Sequence, residues 1–137
     1  MYKIEKRKYG FRLTFGSEID ANEMEKWLMD SRRVLADQTD PFLVFVDMRT
    51  LIPIDYDARQ SMLKGQRFYK EKGMERSVVI LNSPIITMQF KGIAHETGIY
   101  EWERYIDAST EPDWEKVGLD WIINSIDPDK KKEAVSG

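Results

Sequence analysis

Along residues 2–15, apolar side chains recur at every second place. Tyr2 and Ile4 stand between charged neighbours, and Phe11, Leu13 and Phe15 enclose Arg12 and Thr14. A period of two sends alternate side chains to opposite faces of a strand, so this segment predicts a β-hairpin with one buried face. Gly10 falls at its turn, where a residue able to take positive φ is needed. The period then becomes helical. Met24, Trp27, Leu28, Ser31, Val34 and Leu35 share one face, with Glu25, Lys26, Asp30, Arg32 and Arg33 on the other. Asp20 and Glu23 have the spacing of a capping box at its start. Phe42-Leu43-Val44-Phe45-Val46 is a short unbroken apolar run, the mark of a strand buried on both faces, as a central parallel strand is. The connector Leu51-Ile52-Pro53-Ile54 is too proline-broken for helix. A second helix is expected from near Asp55 or Asp57, carrying Ala58, Met62, Leu63, Phe68 and Tyr69 and stopping at Lys70-Glu71-Lys72-Gly73.

Val78-Val79-Ile80-Leu81 predicts a further buried strand. Ser83 and Pro84 then open a third helix as cap and first residue, with Ile85, Ile86, Met88, Phe90, Ile93 and Ala94 inside it and Gly98 at its end. Tyr105–Ala108 reads as a short last strand. Thr110 with Asp113 repeats the capping-box spacing ahead of Trp114, Val117, Gly118, Trp121 and Ile122. The predicted order is ββαβαβαβα. This is an α/β fold with a mixed sheet of about five strands and about four helices, its parallel strands joined by crossovers. Residues 1–126 form one domain in this reading, and 127–137, charged and proline-broken, form a flexible C-terminal tail.

Composition narrows the chemistry. The 137 residues include no cysteine, which excludes disulfides, thiolate metal sites and cysteine nucleophiles. The net charge of −3 gives no general attraction to nucleic acid. No apolar run approaches the length of a membrane span, and the basic start is followed by no apolar core of a signal peptide. A soluble, cytoplasmic protein is the expectation.

No catalytic set assembles from the sequence. His95 is the sole histidine, and no nucleophile elbow or triad accompanies it, so it reads as a polar helix residue. No glycine-rich phosphate loop follows a strand. Asp55 and Asp57 stand where a buried strand's connector meets a helix, the side of an α/β sheet on which ligands bind. They could hold a cation, but further oxygen ligands are not evident, and a cap plus a dipole partner explains them. The basic hairpin, with Lys3, Lys6, Arg7, Lys8 and Arg12 among Tyr2, Tyr9 and Phe11, reads as a solvated edge rather than a single-strand platform. Tyr100, Trp102 and Tyr105 form either an aromatic partner surface or plain core. Met48, Leu51, Ile52, Ile54, Met62, Ile85, Ile86 and Met88 could line an apolar pocket with adaptable walls, and packing in the core accounts for them too.

The hairpin, helix and buried strand, the acidic turn opening a helix, Val-Val-Ile-Leu, Ser-Pro and a late tryptophan helix together resemble the STAS-like proteins. These are related to the bacterial anti-sigma-factor antagonists (SpoIIAA-like) and sometimes grouped with the SEC14 lipid-carrier fold. The resemblance spans about residues 2–124 and lies in the order of elements. In the phosphorylated antagonists an Asp-Ser-Ser/Thr-Gly turn opens the helix after the third strand, and a kinase-like partner phosphorylates its second hydroxyl. Laid on this chain, that turn is Asp55-Tyr56-Asp57-Ala58. Asp55 matches, whereas Tyr56, Asp57 and Ala58 replace the two hydroxyl residues and the glycine. Asp57 cannot accept phosphate by the serine route.

The resemblance therefore implies a non-enzymatic regulatory module that interacts with another protein and has a permanent acid at the switch position. The alternative is a carrier of a small apolar or lipid-like ligand. No cofactor and no metal is expected. The expected partner is an unidentified protein or small apolar ligand, not nucleic acid, and a homodimer is compatible with a domain of this size.

Overall fold

The computed structural model describes residues 1–130. Strands β1 (Tyr2–Arg7) and β2 (Gly10–Phe15) form the hairpin, paired antiparallel with Tyr2 opposite Phe15 and Arg7 opposite Gly10. Gly10 has φ +147°, and a Cβ there would lie 2.0 Å from the carbonyl oxygen of Leu43. Glycine at this turn therefore also admits the backbone of the neighbouring strand. Helix α1 (Ala21–Val34) follows, its Glu23 N–H donating to Asp20 at 2.8 Å. Then come β3 (Phe42–Asp47), α2 (Tyr56–Glu71), β4 (Met74–Leu81) and α3 (Pro84–Thr97). A 3₁₀ turn at Ile99–Glu101, β5 (Glu103–Asp107) and α4 (Trp114–Asn124) complete the order. The α3 boundaries match the sequence signals: Ser83 accepts from the Ile86 N–H, and Gly98 ends the helix in the left-handed region at φ +84°.

The sheet order is β1-β2-β3-β4-β5, with β1 antiparallel to β2 and all other neighbours parallel. Period two divides the strands between two cores. Phe11, Leu13, Phe15, Val44, Val46, Val79, Leu81 and Tyr105 face α1, α2 and α3. Phe45, Val78, Ile80 and Ile106 face the other way, where Trp121 and Ile122 of α4 cover them. Trp121 also donates its indole N–H to the Ser77 carbonyl at 2.9 Å, fixing α4 across β4. Among the described residues, no helix is long and apolar enough to cross a membrane.

The element order and fold class agree with the sequence reading, but four boundaries differ. β4 begins at Met74 and β5 at Glu103, four and two residues ahead of their apolar cores. Thr110 does not cap α4. The helix begins at Trp114 with Asp113 at its cap position and no side-chain bond there, while Thr110 Oγ1 donates back to the Asp107 carbonyl at 3.3 Å. The fourth difference concerns the tail expected from residue 127. Its first residues are tied down: the Asp127 carboxylate accepts two hydrogen bonds from Arg104 at 3.0 Å, and Asp129 accepts one from Lys91 at 2.9 Å. Two paired acids supply what the missing apolar residues would have supplied. Residues 131–137 lie outside the described residues.

Candidate functional site

The C-terminal ends of the parallel strands carry the connectors that α/β folds use for recognition. After β3, the Met48 N–H donates to the Ile80 carbonyl at 2.9 Å, and Leu51 bridges to Ser17. These bonds carry the chain across the sheet end and deliver it to the start of α2. There Asp55 accepts from the Ala58 N–H at 2.8 Å, as a cap should. Ala58 is fully buried, which leaves no room for a larger side chain. Tyr56 is 73% exposed and Asp57 is exposed as well, on the first turn at the positive end of the helix. Within the turn Asp55-Tyr56-Asp57-Ala58, Ala58 packs inward and the exposed Asp55 is engaged as the cap, while Tyr56 and Asp57 are displayed to solvent.

At the end of β3, on the side of the sheet covered by α4, lies a charged cluster the sequence did not reveal. Asp47 ends β3 and accepts from the Arg49 backbone N–H and its Nε, both at 3.0 Å. Arg12, on the adjacent β2, approaches the same carboxylate at 3.6 Å and pairs with Glu115 of α4 at 2.9 Å. Burial pushes the Asp47 pKa up, but the Arg49 hydrogen bonds and the two guanidinium charges outweigh it and hold the carboxyl below its usual range. Arg49 also lies 3.9 Å over the Trp114 ring, and Arg12 lies 4.9 Å over Phe45. A half-open groove of about 530 Å³ runs along the start of α4 past Pro112, Trp114, Lys116 and Leu119. The two arginines are matched by two carboxylates, so the cluster works as a brace between β2, β3 and α4 rather than as an anion trap.

The residues considered for an apolar pocket divide between two environments. Met48 and Met62 are buried in the larger core, with Leu51 and Ile54 packed against it. Ile52, Ile85, Ile86 and Met88 stand exposed at the surface. The aromatic group divides as well. Tyr105 is buried, and its hydroxyl donates to Glu103. Tyr100 is half-buried: it stacks on His95 with ring centres 3.8 Å apart, carries the Arg104 guanidinium 3.7 Å over its ring, and donates to Asp129. Trp102 is half-buried beneath the Lys70 ammonium, 4.3 Å from its ring centre. In the basic hairpin, Lys3, Lys6, Arg7 and Lys8 are exposed while Phe11 is buried.

Sequence reasoning also missed Glu103. It is buried on β5, accepting from Ser77 Oγ at 2.7 Å and from Tyr105. Burial pushes its pKa up, and the two hydroxyls only partly oppose this. Among the described residues no group of three or more His, Cys, Asp or Glu side chains is arranged to hold a metal ion.

No family model and no curated protein matches this chain. Among solved structures, it is similar to an uncharacterised protein from Shewanella loihica, of the DUF3478 family and described as having a SpoIIAA-like fold. That similarity has a TM-score of 0.62 at 16% identity and covers 89% of this chain and 92% of the other. Such a likeness concerns the fold, and it agrees with the strand order and helix placement above. The chain has a SpoIIAA-like, STAS-like α/β fold.

Proposed function

We propose that this chain is a non-enzymatic regulatory module that binds another protein through the displayed half of the α2 turn, with Asp57 as a permanent acid where the related antagonists carry a phosphorylatable serine. The observation that carries this reading is the division within the turn. Asp55 and Ala58 are committed to capping and packing, while Tyr56 and Asp57 are presented to solvent on a rigid helix start. A large exposed aromatic beside a carboxylate is the kind of anchor that protein partners bury. The carrier reading has less support, because Met48 and Met62 are closed into the core whereas Ile85 and Met88 face solvent.

Native mass spectrometry of tagged protein, purified gently from its own organism beside the Tyr56→Ala and Asp57→Ser variants, tests the proposal. The unaltered chain should retain a second polypeptide that Tyr56→Ala loses and Asp57→Ser binds more weakly. A retained small molecule instead of a polypeptide, or a polypeptide held equally by all three proteins, would overturn it.

A further inference from the structure

Helix α3 differs from the other helices in what it leaves outside. Thr87 and Ala94 are its buried residues, and Phe90 meets the ring of Tyr105 edge-on at 5.8 Å. On the opposite side Ile85, Met88, Gln89, Gly92, Ile93 and Glu96 recur at helical spacing and form one exposed stripe. Ile85, Met88 and Ile93 are 70%, 72% and 55% exposed. Gly92 lies inside the helix, away from any turn or cap, with nothing within 4 Å of where its Cβ would stand. Glycine there sacrifices about 1 kcal/mol of helix stability relative to alanine. What it creates is a notch in the middle of the stripe.

We infer that this stripe is the contact between two copies of the chain, α3 lying antiparallel to α3 about a two-fold axis. The argument is self-complementarity, which a two-fold contact requires because the same patch serves both sides. In the register that sets Gln89 opposite the second copy's Gly92, each glutamine fills the other copy's notch. Met88 then lies towards Met88 and Ile93 towards Ile93 on the two flanks, so these two large apolar side chains cover their own counterparts, whereas Ile85 lies at the end of the contact. Glu96 arrives beside Ile85 at the start of the second copy's helix. That first turn carries no acidic residue of its own, and its positive end favours a carboxylate. A parallel pair would place notch against notch and Glu96 against Glu96. Lys91 lies off the stripe, engaged by Asp129. Residues 131–137, whose apolar members are Ala134 and Val135, lack side chains large enough to cover the stripe instead. The contact does not include the α2 turn, so it stands apart from the function proposed above.

Sedimentation equilibrium on the full chain, from about 1 to 200 µM, should give twice the chain mass. Met88→Lys should raise the dimer dissociation constant about tenfold or more, with an unchanged circular dichroism spectrum because Met88 lies outside the core. The chain has no cysteine, so single-cysteine variants report the register. Gln89→Cys brings two thiols near the axis, within the roughly 4.4–6.8 Å between Cα atoms that a disulfide spans. Ile85→Cys separates them by about 16 Å along the helices, from the rise per residue. Mild oxidation should therefore link the first variant covalently and leave the second as single chains on a denaturing gel. A monomer throughout the concentration range, a dimer indifferent to Met88→Lys, or equal linking of the two cysteine variants would overturn the inference.

Discussion

Gly65, in the middle of α2, is where α1 and α2 come closest to intolerance of a single methyl group. A Cβ there would stand 2.1 Å from Cζ3 and 2.2 Å from Cη2 of Trp27. The indole has little freedom to retreat, since it is fully buried, edge-on to Phe15 at 5.1 Å and stacked on Tyr69 at 5.8 Å. Tyr69 is held in turn by its hydrogen bond with Ser31 at 2.8 Å. Gly65→Ala gains about 1 kcal/mol of helix propensity. Overpacking a core costs about 1–3 kcal/mol, and a contact this short belongs at or above the top of that range. The expected net destabilisation is about 2 kcal/mol. With a urea m-value of about 1.5–2 kcal/mol/M, the unfolding midpoint should fall by about 1 M at unchanged m. Trp27→Phe removes the atoms that clash, so the double variant should be more stable than the sum of the single changes by about 1 kcal/mol or more. A Gly65→Ala midpoint equal to or above that of the unaltered chain, or simple additivity in the double variant, would refute the packing argument.

Other consequences can be measured in the same urea titrations. Asp55→Ala should lose about 1 kcal/mol, the worth of a helix cap, whereas Asp57→Ser should stay within about 0.5 kcal/mol. Equal losses would contradict the division of the α2 turn. Glu103 has a folded pKa raised above its ordinary 4.5 by burial, so the folded chain holds that proton more tightly than the unfolded one does. Its stabilising contribution is complete below pH 4.5 and is lost as pH rises through the folded pKa. Glu103→Gln should therefore gain on the unaltered chain as pH is raised from 4.5 to about 8, and a difference independent of pH would contradict this. Asp127→Ala leaves the nearly buried Arg104 guanidinium without its carboxylate and should destabilise by about 3 kcal/mol. A loss below about 0.5 kcal/mol would mean that water replaces the carboxylate.

The fold was legible wherever one physical rule acted alone. The run from Phe42 to Val46 could only be a strand buried on both sides, and Ser83-Pro84 with Gly98 marked both ends of α3 through local backbone chemistry. Legibility failed where the deciding partner was distant in sequence. Glu103 and Arg104 look like surface residues, but they are buried in β5 because Ser77 and Asp127 meet them from 26 and 23 residues away. The brace of Asp47, Arg49, Arg12 and Glu115 is invisible for the same reason, its longest link spanning 103 residues. At Thr110 the capping-box spacing was present, but Asp107 at the strand end had already engaged the hydroxyl. Ile85 and Met88 show the opposite failure: apolar character alone suggested an interior position, and their place on the helix circumference sent them outward. Within the α2 turn, the sequence left open whether Asp55 or Asp57 is the cap, a choice that falls on Asp55, and the display of Tyr56 depends on how the connector from β3 crosses the sheet end.

The segment after α4 sets the order in which the molecule opens. α1 is seated by Met24, Trp27 and Leu28, whereas α3 has Thr87 and Ala94 as its buried side chains. One ion pair reaches α3 directly, Lys91 with Asp129, which also accepts from Tyr100, while Asp127 fixes Arg104 against the Tyr100 ring. Salt screens ion pairs, partly buried ones less than exposed ones, and apolar seating does not depend on that screening. The two helices therefore answer to different variables. At protein concentrations too low for α3 to pair with a second copy, added salt should hasten amide hydrogen exchange along α3 more than along α1, so that α3 opens before α1.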